Sequence, residues 1–183
     1  MEELNFPSDF YGLANPKSST GRLDMFTRVI VDEGHRFDEI PSGYRGKLYL
    51  EVIPRSFPVK VKAGLSLNQL RVAHRTSKSL DKKKLEIKYK KNPILFHRNG
   101  MIIPIDDVKL EEGVYVGVDV AGDLPDSIVA YKAKTNSNVI DLSKIRYYKA
   151  EEFWEPIYRP PKDRLILEPE SFYIMMSKEK ICI

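Results

Sequence analysis

The chain has 183 residues, a formal net charge of +4, 42% apolar residues and 31% charged residues. This length allows one substantial hydrophobic core or two small ones, and the composition is ordinary for a globular protein. No apolar run approaches the roughly 20 residues of a transmembrane helix, and the acidic N-terminus is unlike a signal peptide. One cysteine excludes an intramolecular disulfide, and three scattered histidines exclude a cysteine-rich zinc site. We therefore expect a cytoplasmic protein.

Hydrogen-bond donors are concentrated in residues 15–22, which read Asn-Pro-Lys-Ser-Ser-Thr-Gly-Arg. Pro16 lacks an amide N–H and fixes its own φ, which predicts that a helix or tight turn begins there. The amides that follow would point outward at the positive end of a helix dipole, and this arrangement suits an anion. The alternative is an ordinary serine-capped helix with solvent-exposed Lys17 and Arg22.

Short strands separated by proline and glycine dominate the first seventy residues. Residues 47–53 alternate so that Leu48, Leu50 and Val52 share one face, while Glu51 lies on the other face with its neighbours Tyr49 and Ile53. Further strands are predicted at residues 25–31, 57–64 and 67–72, with a hairpin turn at residues 40–46. Strands at roughly ten-residue spacing favour an all-β barrel or sandwich.

The second half of the chain begins with a lysine-rich stretch at residues 74–92, which fits either a solvated helix or a mobile insert. Residues 71–98 contain ten Lys or Arg against two acidic residues, but few aromatic residues and no known nucleic-acid motif. We therefore expect a solvated insertion and no nucleic-acid partner. Phe153 and Trp154 are expected to anchor a core or an interface. Strands are predicted at residues 101–105, 114–120, 127–133, 164–169 and 172–176.

The chain resembles the dCTP deaminase branch of the dUTPase superfamily in four short motifs: residues 15–22, Phe37-Asp38, residues 43–46 and residues 50–52. A later superfamily motif, a glycine turn before a strand that carries a glutamine, is similar to Gly64 followed by residues 68–70. The best resemblance is to the long two-domain bacterial deaminases. It implies an all-β fold, a distorted barrel of the dUTPase and dCTP deaminase type with a few short helices.

The resemblance also implies an unusual order of parts. Residues 1–134 resemble the second half of a first deaminase-like unit, with a lysine-rich insert near 74–98. Residues 135–183 resemble the first half of a second unit. We therefore expect two incomplete units, as in the central portion of a two-domain protein. The alternative is a permuted unit in which the tail packs onto the head.

Roles for eight residues are implied by the same resemblance. Glu51 would be the general base, because deamination needs a group that takes a proton and later returns it. Known zinc deaminases use a metal-bound hydroxide beside a Glu, and this sequence has no such ligand set. Arg22 and Ser18 would lie near the cytosine ring and the attacking water, and Lys17 and Ser19 would bind phosphate oxygens. Asp38 and Tyr44 would lie around the cytosine ring and the sugar, and Gln69 would bind the substrate. Ordinary structural roles remain the alternative for Glu51, Asp38, Tyr44 and Gln69.

The implied reaction is hydrolytic deamination of dCTP to dUTP and ammonia, in pyrimidine deoxynucleotide metabolism. Mg²⁺ is expected to arrive on the triphosphate, and zinc is not expected. The family implies a trimer with sites between subunits, or a complementing fragment, and no membrane partner. One alternative is a dUTP pyrophosphatase, which shares the hairpin and the Gly64–Gln69 motif. The other is a truncated, non-catalytic relic or partner subunit of a deaminase.

Overall fold

The computed structural model describes residues 3–182, and these residues form mostly short strands. The strands are β1 (Glu3–Asn5), β2 (Phe10–Pro16), β3 (Met25–Val31), β4 (Glu39–Ile40), β5 (Arg45–Pro54), β6 (Val59–Lys60), β7 (Asn68–His74), β8 (Leu95–Phe96), β9 (Ile128–Ala133), β10 (Ile140–Asp141), β11 (Trp154–Tyr158), β12 (Tyr173–Met175) and β13 (Lys180–Ile181). The helices are α1 (Ser18–Gly21) and α2 (Lys82–Lys91), with 3-10 turns at Ile105–Asp107, Ala150–Glu152 and Pro161–Asp163. The expectation of a mainly β protein with a few short helices is confirmed.

The described chain forms two compact units. The first contains the residues up to Ser77 together with Ala133–Glu155 and Glu170–Phe172. The second contains Lys78–Lys132, Pro156–Pro169 and the residues from Tyr173 onward. This spatial grouping differs from the division after residue 134 that the resemblance implies, and that division stays a prediction about relatedness.

The first unit is organised around a long antiparallel ladder between β3 and β5. Met25 pairs with Pro54 at one end and Val31 with Leu48 at the other. Alternate residues of β3 are buried, and Leu48 and Leu50 of β5 pack against the same core. The predicted strand at residues 25–31 is confirmed, and the predicted strand at 47–53 lies within β5. The other face of this ladder, called the outer face here, carries Phe26, Arg28, Ile30, Tyr49, Glu51 and Ile53.

A second sheet of the first unit has the strand order β4-β2-β7. Residues 40–46 do not connect the two strands of a hairpin. The strand before them, β4, pairs with β2 and not with β5, and Ile40 stands opposite Gly12. Ile40 is 1% exposed, so this pairing buries an apolar side chain in the core. The predicted glycine turn is present, because the amide of Leu65 donates to the carbonyl of Lys62 and Gly64 adopts φ +85°.

An aromatic cluster forms a second core within the first unit. Phe57 and Phe153 are buried, and their rings meet edge to face with centroids 6.0 Å apart. Trp154 packs edge to face on Phe57 at 5.2 Å. The expectation that Phe153 and Trp154 anchor a core is confirmed. The predicted strand at residues 57–64 is much shorter in the structure, where β6 pairs in parallel with β10.

The second unit contains the lysine-rich helix and a small core beneath it. Asp81 caps α2 by accepting a hydrogen bond from the Lys84 amide at 2.9 Å. Tyr89 is buried with Leu95 and Ile103, and its hydroxyl donates to the Ile103 carbonyl at 2.8 Å. Lys82–Lys91 is therefore helical. Of the two alternatives for the lysine-rich stretch, the helix is the one that forms.

Three predicted strands of the second unit are wrong. Residues 101–104 and 114–120 form only isolated bridges, at Ile102, Val114 and Val118, Ile105 begins a 3-10 turn, and residues 164–168 have no regular structure. The predicted strand at residues 127–133 is confirmed as β9, which pairs antiparallel with β12. Apolar composition alone suggested the missing strands, but a strand also needs a partner ladder for its backbone groups.

A buried aspartate ties together two loops of the second unit. Asp119 is 6% exposed, and Oδ1 accepts hydrogen bonds from the amides of Ala121 and Gly122 at 3.1 and 3.0 Å. Its Oδ2 forms an ion pair with Arg98, which also pairs with the exposed Asp123. Among residues 3–182, no helix is long and apolar enough to span a membrane.

Candidate active site

Glu51 lies on the outer face of β5, as the alternation of the strand predicts. It stands opposite Arg28 in the ladder, and Arg28 Nε lies 3.3 Å from Glu51 Oε2. Both atoms are buried, and neither makes an aligned hydrogen bond to another described residue. The contact is therefore an ion pair without hydrogen-bond geometry. The Glu51 side chain is 39% exposed, so solvent or a ligand can reach it.

Pro16 is the last residue of β2, and helix α1 begins two residues later at Ser18, so the predicted helical turn is present just after Pro16. Lys17 occupies the N-cap position and makes no side-chain capping bond, so the serine-capped alternative is not formed. Its carbonyl accepts hydrogen bonds from the amides of Thr20 and Gly21, both at 2.9 Å. Thr20 is buried, whereas Lys17, Ser18, Ser19 and Arg22 are all exposed. The four predicted site residues of this segment thus face solvent on one short turn.

Asp38 is tied into the fold by three separate contacts. Its amide donates to the Val29 carbonyl at 2.9 Å, and its Oδ1 accepts from the Val29 amide at 2.8 Å. Its own carbonyl accepts from the Ala14 amide at 2.8 Å. Asp38 adopts φ +62°, a conformation that aspartate tolerates better than most residues. These contacts fasten the segment before β4 to both β2 and β3, and the predicted substrate contact of Asp38 stays a prediction.

Tyr44 is buried in the core of the first unit. Its hydroxyl donates to the Lys47 carbonyl at 2.6 Å and accepts from the Asp32 amide at 3.2 Å. These bonds brace the connection between β3 and β5 and thereby fix the start of the strand that carries Glu51. The hydroxyl thus has two partners within the fold. The implied contact of Tyr44 with substrate stays a prediction.

Gln69 reaches the site through the pairing of β2 with β7. It is exposed and stands opposite Asn15, two residues before Lys17. The Lys17 amide also donates to the Leu67 carbonyl at 3.0 Å. The neighbouring Asn68 donates to Thr27 Oγ1 at 3.0 Å, which links β7 to β3. The fold therefore brings the Gly64–Gln69 motif beside the donor-rich segment of α1.

The register sets Glu51 against Arg28 at the middle of the β3–β5 ladder, and α1 leads into one end of this ladder. Arg22 caps α1 three residues before β3 begins, and the first residue of β3, Met25, pairs with Pro54. Glu51 lies three residues before Pro54, which is about 10 Å along the strand. The sequence-predicted donors and the sequence-predicted base thus lie in the same unit. Within residues 3–182, no group of three His, Cys, Asp or Glu side chains is arranged to hold a metal ion.

Arg28 and Phe26 adjoin the predicted residues but do not appear in the sequence motifs, and Phe37 and Asn68 appear in those motifs without an assigned role. Arg28 carries the contact with Glu51, and both phenylalanine rings lie against its guanidinium. The alternation of β3 does place Arg28 on the face opposite the buried residues. That pattern alone gives no cross-strand partner, because the register between β3 and β5 is needed to set Arg28 against Glu51.

The fold is mostly β, and one unit carries both the exposed ammonium, hydroxyl and guanidinium groups around α1 and the strand carboxylate of Glu51. Residues 1–76 match the family model for the 2′-deoxycytidine 5′-triphosphate deaminase N-terminal domain, and residues 81–183 match that for the C-terminal domain. The chain belongs to the 2′-deoxycytidine 5′-triphosphate deaminase family. The resemblance seen in the sequence motifs is thereby confirmed.

Two relatives show the extent of the similarity. A dCTP deaminase from Ignicoccus hospitalis is 34% identical over 64 residues, which cover 35% of this chain and 31% of that protein. The crystal structure of 2′-deoxycytidine 5′-triphosphate deaminase from Agrobacterium tumefaciens matches with a TM-score of 0.87 and 35% identity, covering 99% of this chain and 50% of that one. The similarity to that deaminase therefore extends over nearly all of this chain, which spans half or less of the length of each relative.

Proposed function

We propose that this protein deaminates dCTP hydrolytically to dUTP and ammonia. The observation that carries the proposal is the placement of Glu51 on the outer face of β5, at the middle of the ladder into which the donor-rich turn of α1 leads. Membership of the deaminase family adds independent support. A strand glutamate also favours deamination over the pyrophosphatase alternative, in which the resemblance implies that an acid of the hairpin acts instead.

In the proposed reaction, water adds to carbon 4 of the cytosine ring and ammonia leaves. Glu51 takes one proton from the water as the new C–O bond forms and passes it to ring nitrogen 3. It then takes the hydroxyl proton of the intermediate and passes it to the exocyclic amino group. The C–N bond breaks, ammonia departs and the carbonyl of uracil remains. One carboxylate thus serves as base and then as acid, a role that general acid–base catalysis requires within hydrogen-bond reach.

The exposed residues of α1 supply the remaining groups of the proposed site. Lys17 and Ser19 bind triphosphate oxygens, since an ammonium and a hydroxyl are suitable donors to phosphate. Ser18 and Arg22 face the base and the attacking water. Asp38, Tyr44 and Gln69 complete the binding of base and deoxyribose. Mg²⁺ belongs to the substrate in this proposal, as the triphosphate complex.

A homotrimer is part of the proposal, with each site completed by a neighbouring copy. The outer face supports this, because Phe26, Ile30, Tyr49 and Ile53 leave a band of apolar side chains exposed around the Arg28–Glu51 pair. Contiguous apolar patches of this kind commonly mark protein–protein contacts. The proposed location is the cytoplasm, and the proposed relatedness of residues 1–134 and 135–183 to two deaminase-like units is retained.

Incubation with dCTP and, separately, with dUTP tests the reaction. We expect ammonia and dUTP from dCTP, and no pyrophosphate from dUTP. Glu51→Gln should lower ammonia release at least about 100-fold while dCTP still raises the melting temperature. Glu155→Gln, an exposed glutamate on strand β11 of the same unit, is the matched control and should keep full activity.

Each contrary result has a distinct meaning. Pyrophosphate release from dUTP would support the pyrophosphatase alternative. A chain that gives neither product and no thermal shift with dCTP would support the non-catalytic alternative. A fully active Glu51→Gln variant would refute the assignment of the base. Size-exclusion chromatography with light scattering measures the subunit number, and a monomer that turns over dCTP would contradict the trimeric site.

A further inference from the structure

The guanidinium of Arg28 is held between two phenylalanine rings. Its Cζ lies 4.6 Å from the ring centre of Phe26 and 4.6 Å from that of Phe37. Both rings are substantially exposed, at 42% and 51%, so the hydrophobic effect alone does not explain their positions. An arginine stacked on an aromatic face gains cation–π attraction and loses freedom of rotation. The two rings therefore fix the direction in which Arg28 extends.

The position of Phe37 follows from the contacts of the next residue. Asp38 makes two hydrogen bonds with Val29, which is the residue after Arg28 on β3. Because Asp38 is fixed at that point, the preceding Phe37 is held beside the Arg28 side chain. Phe26 comes from the other direction, two residues earlier on the same face of β3. The clamp on Arg28 is thus built from a strand and from a loop that is anchored to that strand.

The clamped arginine meets Glu51 in a specific way. Arg28 Nε and Glu51 Oε2 are 3.3 Å apart and buried, but they do not form an aligned hydrogen bond. A two-pronged arginine–carboxylate pair would occupy both carboxylate oxygens. Here the arginine attracts and orients the carboxylate through charge, and the hydrogen-bonding capacity of Oε2 is not used by another described residue.

We propose that Arg28 is a positioning residue that orients the Glu51 carboxylate for proton transfer, and that Phe26 and Phe37 hold Arg28 in place. This inference rests on the proposed deaminase function. A free glutamate side chain samples several rotamers, and ordering it has an entropic cost. A catalytic group displaced by about 1 Å can slow a reaction about 100-fold. The clamped arginine restricts Glu51 before substrate binds.

Steady-state kinetics on the full chain with dCTP test this role. We expect Arg28→Ala to lower kcat about 10- to 100-fold with KM changed less than threefold. Arg28→Lys keeps the charge but loses the planar stack, so it should recover part of kcat. Phe37→Ala should lower kcat in the same direction by a smaller factor. The urea midpoint of each variant shows whether the fold is intact.

A double variant separates positioning from other roles. If Arg28 acts through Glu51, then Arg28→Ala should change the residual rate of the Glu51→Gln protein less than twofold. Arg159→Ala is the matched control, since its Nε lies 2.9 Å from Asp163 Oδ1 and both side chains are exposed to a similar degree as Arg28 and Glu51. That variant should keep the kcat of the unaltered protein.

The outcomes distinguish a failure of the positioning role of Arg28 from a failure of the proposed deamination of dCTP. Ammonia release by the unaltered protein with an unchanged kcat for Arg28→Ala would overturn the positioning role alone. A raised KM with unchanged kcat would make Arg28 a substrate ligand and would also overturn it. Full, independent losses from Arg28→Ala and Glu51→Gln would do the same. If the unaltered protein releases no ammonia from dCTP, the proposed function fails and this inference fails with it.

Discussion

Each unit of the protein contains an arginine paired with a carboxylate, and the two carboxylates are held differently. In the first unit, the Arg28 guanidinium is the only ion-pair partner of Glu51 among residues 3–182, and no backbone amide there binds Oε2. In the second unit, Asp119 is deeply buried, and two backbone amides bind its Oδ1 while Arg98 pairs with its Oδ2.

This difference separates a structural carboxylate from one suited to chemistry. Backbone amides cannot move away without loss of the local fold, so Asp119 holds its loop in place. Glu51 is held by one side chain, and its own side chain is 39% exposed, so a substrate can reach it. We therefore expect Asp119 to matter for stability and Glu51 to matter for activity. The following predictions test that contrast in order of decreasing effect.

The largest loss of stability is expected for Asp119→Ala. The change removes the acceptor for two amides and leaves Arg98 without its buried partner, which should lower the free energy of unfolding by about 3 kcal/mol. Urea denaturation monitored by circular dichroism measures this loss. Asp123→Ala is the control, because Asp123 pairs with the same arginine but is exposed, and it should cost less than about 1 kcal/mol. Equal losses from the two variants would contradict the contrast.

A smaller loss is expected for Asp38→Ala in the first unit. The alanine cannot accept the Val29 amide and is less compatible with φ +62°, so unfolding should become easier by about 2 kcal/mol. Asp38→Asn keeps an acceptor oxygen and tolerates this conformation, so it should restore most of the loss. Urea midpoints of the two variants provide the comparison. An asparagine variant as unstable as the alanine variant would show that charge, and not the hydrogen bond, matters there.

Glu51→Gln should leave the stability of the protein nearly unchanged. The pair with Arg28 is partly exposed, and such ion pairs contribute less than about 1 kcal/mol to the free energy of unfolding. The same urea experiment measures this value on the variant that is expected to lose ammonia release. A loss of unfolding free energy as large as that of Asp119→Ala would make Glu51 a structural residue and would remove the contrast between Glu51 and Asp119.

The smallest effect concerns the cap of α2, where the exposed carboxylate of Asp81 accepts a hydrogen bond from a backbone amide. The hydrogen bond from the Lys84 amide, followed by the bond from the Lys84 side chain, lowers the pKa of Asp81. A lowered pKa in the folded state means that the stabilisation is present at neutral pH and is lost as the pH falls through that pKa. Melting temperatures should therefore be higher for the unaltered protein than for Asp81→Ala at neutral pH, and this advantage should shrink in acid.

Asp81→Asn is the control for this pH dependence. Asparagine caps helices about as well as aspartate but does not titrate. Its advantage over Asp81→Ala should therefore persist in acid. An unaltered protein whose advantage over Asp81→Ala is the same at every pH would show that the charge of Asp81 contributes nothing.

The sequence predicted the elements in which local chemistry and partner pairing agree. Pro16 lies two residues before α1, β-branched and apolar residues indicate β3, alternation locates β5, and Gly64 forms the turn before β7. The same alternation placed Glu51 on the outer face. In each case the residue types determine the local conformation or the buried face, and a neighbouring strand is available to complete the hydrogen bonds.

The predictions failed in the second unit, where the apolar residues have no ladder. Residues 101–105 and 114–120 have apolar side chains typical of strands, yet they form only isolated bridges and the start of a 3-10 turn. The Tyr89 hydroxyl accounts for part of the difference, because it satisfies the Ile103 carbonyl and contacts the Leu95 carbonyl at 3.3 Å. A side chain from a distant helix can replace a strand partner, and a local pattern does not contain that information.

By itself, the amino-acid sequence determined the mainly β class, the start of the donor-rich turn, the outward direction of Glu51 and the resemblance to the deaminase family. Only the tertiary structure decided that Arg28 faces Glu51, that Phe37 covers Arg28 and that β4 pairs with β2. The physical reason is that a period of two residues fixes the face of a strand but not the register of its partner. That register depends on packing among segments that lie far apart in the chain.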